Sequence, residues 1–583
     1  MNKNFKKSGR KIFKKISLFS KRVHRDGQEH IKENLIDHIS HIKDVRLYIL
    51  EWILLVTVII LLSITQAYWY LNSFAVETYT KGGTYTEATL GKINSFNPLF
   101  ATTSSEETLS RLLFATLSAT DYSGHTGLGL AETIHANDAG DTWTVKLRSG
   151  LKWSDGQPIT NSDVLYTIKT IQSTRIKTNF ASKLVGVTTA ENDQGELVFN
   201  LSSPNAFFES SLDLPILPAH ILKDVSPELL LENKFSTRPI TSGAFTVNAT
   251  QNIGTEGEKI VYLTANPKYY KGAPMLDSFS IHAFTSLADI KSAIRSGTVT
   301  ATADLPSKFA QELSSININE YQSSVNYGVF AFFNTESTIF KNKSLRQAVR
   351  LGLNFNNLRT GLSGELPLDY PLLESQVDSI TFPSIPKTDV TSAKAEIERL
   401  KVATPDLTSV KINIVTIKGD NYLEEFANRI ASQLKGLGLQ ASVSVYDSNQ
   451  DFALNILRPR AYDLLIYEIG LGADPDVLAY YHSLEATENG HNLSNYKNLV
   501  VNDLLLSART TMDSKLRAAK YQKFLERWVE DVPAIGLYQT TLPYFVNRNV
   551  RAFSQENRLV TATDRFIDIE NWATKKTIKN RTP

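Results

Sequence analysis

The fold of this chain is decided by residues 142–171, which read TWTVKLRSGLKWSDGQPITNSDVLYTIKTI. The apolar residues Trp143, Val145 and Leu147 alternate with polar ones, and this period of two predicts a strand with one buried face. The tripeptide Ser-Asp-Gly at 154–156 then predicts a tight turn.

A capped helix is predicted directly after this turn. Thr160 can cap its N-terminus, with Asp163 in the first turn. The apolar residues at the spacing of one buried helical face are Val164, Leu165, Ile168 and Ile171. Nothing in the stretch suggests a nucleophile, a metal ligand or a phosphate cradle, so we interpret it as a scaffold element.

The amino-acid sequence of this stretch is distinctive. Residues 147–164, LRSGLKWSDGQPITNSDV, resemble the signature of the family 5 extracellular solute-binding proteins, which are the dipeptide, oligopeptide and nickel receptors of bacterial ABC importers. Other segments resemble this family in the same order: GGTYTEATLGKINSFNPLF at 82–100, ITSGAFTVN at 240–248, LTANPKYYKGAPMLDSFSIHAF at 263–284, ADIKSAIRSGTVTATADLP at 288–306 and VFAFFNTESTIFKNKSLRQAVRLGLN at 329–354.

The resemblance implies an α/β, two-lobed fold of the periplasmic-binding-protein kind, type II, with an extra subdomain in the first lobe and one transmembrane helix before it. Ligand would bind between the lobes, which close over it by hinge motion. A length of 583 residues, 42% of them hydrophobic, agrees with at least two lobes.

The composition removes several kinds of chemistry. The chain has no cysteine, which excludes disulfides, thiolate catalysis and the lipid-modified cysteine that tethers many bacterial binding proteins. We find no His-Glu-x-x-His and no Gly-x-Ser-x-Gly motif, so the commonest hydrolase signatures are missing as well. We therefore expect no enzyme activity, no catalytic residues, no cofactor and no metal.

A peptide tether is predicted at the N-terminus. Residues 52–70, WILLVTVIILLSITQAYWY, carry no charge, and these 19 residues span about 28 Å as a helix, roughly a hydrocarbon core. Residues 1–46 hold 13 Lys/Arg against 5 Asp/Glu, so the positive-inside rule places the N-terminus in the cytoplasm. We favour an uncleaved signal anchor, and a cleaved signal peptide is the alternative.

The predicted organisation follows from these features. The segments are a basic cytoplasmic segment at 1–46, a transmembrane signal anchor at 47–71, a linker at 72–83, the first lobe at 84–284 with an extra subdomain at about 110–235, the second lobe at 285–520, and a C-terminal return to the first lobe at 521–583. In the basic segment we interpret His30, His38 and His41 as part of a solvated face rather than a metal site.

The predicted ligand contacts lie mainly in residues 462–483, YDLLIYEIGLGADPDVLAYYHS. Gly470 and Gly472 would leave backbone bare for an extended ligand chain to approach. In oligopeptide receptors an Asp of the corresponding Gly-x-x-Ala-Asp segment pairs with the peptide α-ammonium group, and Asp474 falls on that position. The alternative is that Asp474 only caps a helix, with Pro475 at its first position.

The full set of candidate ligand-binding residues is Ala101, Thr102, Thr103, Gly470, Leu471, Gly472, Asp474, Tyr481 and His482. The first three follow the Asn-Pro turn of the family's opening strand. The chain departs from the family by having Leu471 where a Trp is frequent, and Glu468 where some oligopeptide receptors place a ligand-facing Arg. The resemblance therefore does not predict that a cation here holds a peptide carboxylate.

These observations predict a monomeric, membrane-anchored receptor outside the cytoplasm, at the cell surface or in the periplasm. It would capture peptides between closing lobes and deliver them to an ABC transporter permease. The alternatives are a receptor for another solute, such as a nickel chelate or a sugar, a ligand sensor, or an extracytoplasmic hydrolase. Nucleic-acid binding is not expected, because residues 47–583 hold 49 Lys/Arg against 55 Asp/Glu.

Overall fold

The structure is a computed structural model that describes residues 42–253, 257–314, 316–377, 380–419, 422–448, 450–553 and 558–580. It has two units, one of residues 79–576 and one made of residues 1–78 with 577–583. Most of the predicted basic segment, with His30, His38 and His41, lies outside the described residues.

The N-terminal unit contains a helix at Ile42–Phe74. Its segment Leu47–Tyr70 has a mean hydropathy of 2.6 and is long and apolar enough to cross a membrane. These bounds agree with the predicted anchor at 47–71. Strands Ala75–Thr80 and Lys575–Asn580 form a two-stranded sheet.

The strands in chain order are β1 Ala75–Thr80, β2 Thr84–Leu90, β3 Ser118–Thr120, β4 Thr126–Leu128, β5 Ala131–Ala136, β6 Thr142–Leu147, β7 Val187–Glu191, β8 Leu197–Leu201, β9 Phe245–Ile253, β10 Glu258–Ala265, β11 Ser278–Phe284, β12 Ala301–Thr302, β13 Ile318–Phe333, β14 Leu366–Pro367, β15 Lys411–Ile417, β16 Gln440–Tyr446, β17 Leu464–Gly470, β18 Ala534–Asn547 and β19 Lys575–Asn580. The helices of residues 79–576 with at least ten residues are Ser104–Leu113, Asn161–Ile171, Leu287–Ser296, Lys343–Gly352, Val390–Ala403, Leu423–Gly436, Leu499–Thr510 and Ser514–Asp531. Shorter α-helical segments lie at Phe208–Ser211, Ala219–Leu222, Ala310–Leu313, Phe355–Leu358, Gln450–Phe452 and Leu478–Tyr481.

One large mixed sheet runs through both lobes. Its order is β16-β15-β17-β13-β18-β12-β2-β11-β10-β9, with β14 added beside β18. Strands β9 to β12 and β2 belong to the first lobe, and β15 to β17 belong to the second lobe. The second lobe contains a β-α-β unit, in which β15 and β16 are parallel and the helix Leu423–Gly436 connects them.

The two lobes share the long antiparallel strands β13 and β18. Residues 318–324 of β13 pair with 541–547 of β18 on the first-lobe side, and residues 328–332 pair with 534–539 on the second-lobe side. Between these stretches the register shifts, and β13 leaves β18 at residues 325–327. We propose that the chain passes from one lobe to the other at this interruption.

The packing moves the lobe boundaries away from the predicted ones. The helix Leu287–Ser296 packs its buried face against Ala88 of β2 and Phe545 of β18, and β12 pairs with β2. The helix Ser514–Asp531 instead buries Tyr521 and Trp528 in the second-lobe core. We therefore propose that the lobes change within β13 and β18, rather than near residues 285 and 521.

The decisive stretch forms the predicted strand, turn and helix. Strand β6 lies in a four-stranded antiparallel sheet of order β5-β6-β8-β7, and the helix follows at Asn161–Ile171. Asp163 is buried and accepts the backbone N–H of Thr160 at 2.8 Å, the backbone N–H of Ala219 at 2.7 Å and the indole N–H of Trp153 at 3.4 Å. These hydrogen bonds join the turn, the helix and a distant loop, so the stretch is a scaffold as expected.

Gly243, in the segment 240–248, has a role in backbone geometry. A Cβ atom on Gly243 would lie 2.4 Å from the carbonyl oxygen of Leu112 and 2.8 Å from the backbone nitrogen of Phe114. The start of strand β9 can therefore approach the end of the helix Ser104–Leu113 only because this residue lacks a side chain.

A fully buried ion pair closes the first lobe. The guanidinium of Arg565, near the C-terminus, lies 2.6 Å from the carboxylate of Glu87 on β2, and their side chains are 2% and 0% exposed. The hydroxyls of Tyr85 and Tyr544 also donate to this carboxylate, at 3.0 and 3.3 Å. Protein groups therefore supply the hydrogen bonds and the opposite charge that a buried ion pair needs.

Replacing Glu87 with Gln is expected to lower the free energy of unfolding by about 3–5 kcal/mol, because Arg565 then remains buried without its counter-ion. Denaturant unfolding, followed by tryptophan fluorescence, measures this difference. The matched control is Glu312→Gln, whose partner Lys291 is partly exposed and whose loss should cost less than about 1 kcal/mol. Equal unfolding midpoints for the two variants would contradict the assigned role of the buried pair.

Candidate ligand-binding site

A cavity of about 540 Å³ lies between the two lobes, beside the interruption in β13 and β18. Val325 and Tyr327 line it from the point where β13 leaves its partner, and Thr540 and Thr541 line it from β18. The cavity therefore borders the part of the backbone that must bend when the lobes move. Its size suits a small organic ligand or part of a longer one.

The first lobe contributes one of the predicted contacts and several charged groups to the cavity wall. Ala101, a predicted contact, lines it directly after the Asn97–Pro98 turn, in which the Asn97 side chain accepts the N–H of Leu99. Glu107 projects from the first half of the helix Ser104–Leu113. Burial, followed by the charges of Asp304 and other carboxylates, raises the pKa of Glu107.

Arg111 is the principal cation of the cavity wall. Its guanidinium lies 3.0 Å from the carboxylate of Asp213 and 3.2 Å from that of the buried Asp564. Two negative charges therefore face this one positive charge. An anionic ligand group would have to displace one of them before it could pair with Arg111.

Glu468 supplies a carboxylate from the second lobe. It lies on β17, accepts the hydroxyl of Thr540, and has a pKa raised by burial. Tyr327 lies between the lobes, and burial followed by the charges of Glu107 and Glu468 raises its pKa. Glu468, which stands where some oligopeptide receptors place a ligand-facing Arg, thus puts a carboxylate in the cavity.

Asp474 lies at the contact between the lobes and does not cap a helix. The helix that follows it begins at Leu478, four residues later, and its N-cap is Val477. The interpretation of Asp474 as a cap is therefore wrong, because residues 475–477 do not continue the predicted helix back to it. Burial raises the pKa of Asp474, although the Ser210 hydroxyl of the first lobe favours its charged form.

The first lobe contributes a carboxylate that interacts electrostatically with that of Asp474. Glu209 lies in the short helix Phe208–Ser211, and burial together with the charge of Asp474 raises its pKa to about 7. The cation Arg517, which also acts on Asp474, lies over the ring of Phe207 and donates to backbone carbonyls of residues 511 and 512. Two acidic side chains, one from each lobe, therefore repel each other.

The backbone of residues 470–472 makes more hydrogen bonds within the protein than the sequence suggests. The N–H of Leu471 donates to the carbonyl of Asn326 at 2.7 Å, and the carbonyl of Gly472 accepts the Asn326 side chain at 2.8 Å. Gly470 pairs with Tyr327 in the sheet, and its carbonyl accepts the hydroxyl of Tyr480. These backbone groups fasten the segment to the hinge rather than remain bare for a ligand chain.

The remaining predicted contacts lie away from this cavity. Thr102 donates to Glu106, and Thr103 caps the helix Ser104–Leu113 by accepting the N–H of Glu106. Tyr481 is fully buried in the second-lobe core against Trp528. His482 lines a separate cavity between the lobes and accepts the N–H of Leu484.

Sequence reasoning missed several residues that the structure brings to the cavity. Glu107, Arg111, Tyr327 and Thr541 come from three distant parts of the chain, and each lies in a segment that by its pattern reads as an ordinary strand or helix. The only available signal was the unusual Glu468, which was read as the loss of a cation. In the described part of the chain no group of three or more His, Asp or Glu side chains is placed to hold a metal ion.

Comparison with known proteins identifies the family. The model of the bacterial extracellular solute-binding proteins, family 5 (middle region), matches residues 127–492, and the chain belongs to this family. A relative from Bacillus subtilis (strain 168), the oligopeptide-binding protein AppA, is 26% identical over 481 residues, which are 79% of this chain and 86% of that protein.

Solved structures show the same fold. The structure of AppA from Bacillus subtilis in complex with a nonapeptide has a TM-score of 0.68 at 22% identity, covering 85% of this chain and 99% of that one. The ABC transporter substrate-binding protein CtaP from Listeria monocytogenes has a TM-score of 0.74 at 22% identity, covering 85% and 100%. The predicted two-lobed α/β fold is confirmed.

The raised pKa of Glu209 predicts a pH dependence of stability. Its pKa is about 7 in the folded protein and 4.5 ordinarily, so the folded state keeps a proton that the unfolded chain releases between these values. The free energy of unfolding should therefore fall as pH rises through this window and level off above it. Glu209→Gln removes this loss, so the variant should gain thermal stability over the natural chain at pH 8 but not at pH 4.

Differential scanning calorimetry at both pH values, without added ligand, measures this gain. Glu526→Gln is the control, since Glu526 is an exposed residue of the helix Ser514–Asp531. The same stability difference for Glu209→Gln at pH 4 and pH 8 would show that Glu209 does not titrate as described.

Proposed function

We propose that this protein captures peptides in the cleft between its lobes and delivers them to an ABC transporter permease. The observation that carries the proposal is the cavity at the interruption of β13 and β18, with polar groups contributed by both lobes. A ligand that touches both walls favours the closed arrangement, because the open one offers it only half of the contacts. Family membership and the peptide named for the Bacillus subtilis relative support a peptide as the ligand.

The electrostatic repulsion between Glu209 and Asp474 supports a place for the peptide α-ammonium group. Each acid raises the electrostatic cost of the other, and one positive charge between them would remove that cost. Two carboxylates on opposite lobes would then hold the same ammonium group. In this way the N-terminus of a peptide would stabilise closure directly.

The helix Ile42–Phe74 supports attachment to the membrane. It contains an apolar stretch of 24 residues, and the basic side chains of residues 1–46 favour a cytoplasmic N-terminus. We propose that this helix is retained as a signal anchor and that the lobes lie outside the cytoplasm. Binding without chemical change of the ligand is then the protein's task.

Native mass spectrometry of the full chain in detergent micelles tests the proposed ligand. The protein should release a mixture of short peptides on unfolding, and these should be intact when they are incubated with it again. Release of a metal chelate or a sugar would replace the peptide by that solute. Cleavage of added peptides would show a hydrolase instead.

Asp474→Asn is expected to weaken the binding of a released peptide at least about tenfold, because a neutral amide loses the charge-assisted hydrogen bond to the ammonium group. Isothermal titration with that peptide and with its N-acetylated form measures the effect. The control Asp138→Asn changes an exposed residue of a loop before β6 and should bind normally. Equal affinity of the natural chain for both peptide forms would rule out an ammonium contact.

A further inference from the structure

The cavity between the lobes holds two carboxylates without a positive partner. Glu107 comes from the first lobe and Glu468 from the second, and both line the same space. Among the described residues neither forms an ion pair, and the contact of the Glu468 side chain is with the neutral hydroxyl of Thr540. Tyr327 lines the same cavity, and both charges contribute to raising its pKa.

The cations that line the cavity are engaged elsewhere. Arg111 is held by Asp213 and Asp564. Lys183 lies over the ring of Phe180, with its ammonium nitrogen 5.8 Å from the ring centre, and donates to the backbone carbonyl of Asp213. Arg111 therefore opposes other carboxylates and Lys183 contacts a ring and a backbone carbonyl, so neither pairs with Glu107 or Glu468.

An independent observation points to a missing hydrogen-bond partner at the same place. Thr541 lines the cavity, is only 8% exposed, and has a hydroxyl oxygen without a hydrogen-bond partner among the described residues. A buried hydroxyl is normally paired, because water no longer solvates it. The hydroxyl oxygen can accept an N–H from a bound molecule.

A positively charged ligand group satisfies all three side chains at once. Burial raises the pKa of Glu107 and that of Glu468, so a cavity without a cation resists having both ionised. A bound ammonium or guanidinium group offsets the two charges and supplies several N–H donors. A neutral ligand would leave both carboxylates uncompensated, and an anionic one would be repelled.

We propose that this cavity selects peptides with a basic side chain, whose cationic group lies between Glu107 and Glu468 and donates to the hydroxyl of Thr541. The proposal rests on the proposed function in taking the ligand to be a peptide. It adds that the specificity lies in charge contributed by opposite lobes. The basic side chain is a second positive group, separate from the α-ammonium group assigned to Asp474.

The test uses the full chain in detergent micelles and two synthetic pentapeptide pools. The pools are identical except that every lysine of one is replaced by Nε-acetyl-lysine, which keeps the length and removes the charge. Both pools are offered in excess as an equal mixture, and the retained peptides are counted by mass spectrometry. The natural chain should retain the lysine peptides over their acetylated counterparts at least about tenfold.

The variants Glu468→Gln and Glu107→Gln should each retain peptides with most of this preference lost. Glutamine keeps the shape of the side chain, and the amide oxygen at position 468 can still accept the Thr540 hydroxyl, so folding is preserved. Glu526→Gln on the exposed face of a helix should keep the full preference. A thermal unfolding curve for each variant confirms that it is folded.

The outcomes separate this inference from the function on which it rests. Retention of both pools in equal amounts by the natural chain would overturn the charge selection and leave peptide binding standing. Retention of neither pool would overturn both. An unchanged preference in the two cavity variants would also overturn the inference, because the selecting charges would then lie elsewhere.

Discussion

The arrangement of this molecule depends on two antiparallel strands that belong to both lobes. Each of β13 and β18 is hydrogen-bonded into the first lobe along one half and into the second lobe along the other half. A sheet resists bending wherever its ladder is continuous, so relative motion of the lobes must concentrate at the few residues where the ladder is interrupted. Because the same residues line the cavity, ligand contact and lobe motion are coupled.

The electrostatics of the cleft follow from which charges the fold has already paired. Arg111, a cation of the cavity wall, is neutralised within the first lobe by Asp213 and Asp564. Negative groups remain on both sides, with Glu209 facing Asp474 and Glu107 sharing the cavity with Glu468. Closure without ligand therefore brings like charges together, and a cationic ligand changes this from a cost into an attraction.

Much of the fold could be predicted because it depends on local patterns. The alternation in 142–147, the turn signal at 154–156 and the capping and apolar pattern of 160–171 each predicted the observed element. The lobe boundaries could not be read this way, since the helix Leu287–Ser296 has the same pattern whichever lobe it covers. Only its contact with Ala88 and Phe545 assigns it to the first lobe.

The site was harder to predict than the fold because its residues meet only after the lobes have assembled. The sequence around Asp474 indicates this residue, whereas Glu209, whose pKa Asp474 raises, is brought near it only by the folding of a distant segment. The lack of side chains at Gly470 and Gly472 predicts room for a ligand, and this stays a prediction. The structure adds that the carbonyl of Gly472 accepts the side-chain amides of Asn326 and Gln376.

The buried pair of Glu87 and Arg565 also has a consequence for how the chain is made. The two residues are separated by 478 positions, so the nascent chain carries an uncompensated carboxylate in the unfinished core of its first lobe until residue 565 has emerged. Loops of this length close slowly, and partly folded intermediates expose apolar surface while they wait. A chain that stops short of Arg565 would thus be released with its first lobe unsealed, and quality-control proteases could recognise it before any defect in the cleft mattered.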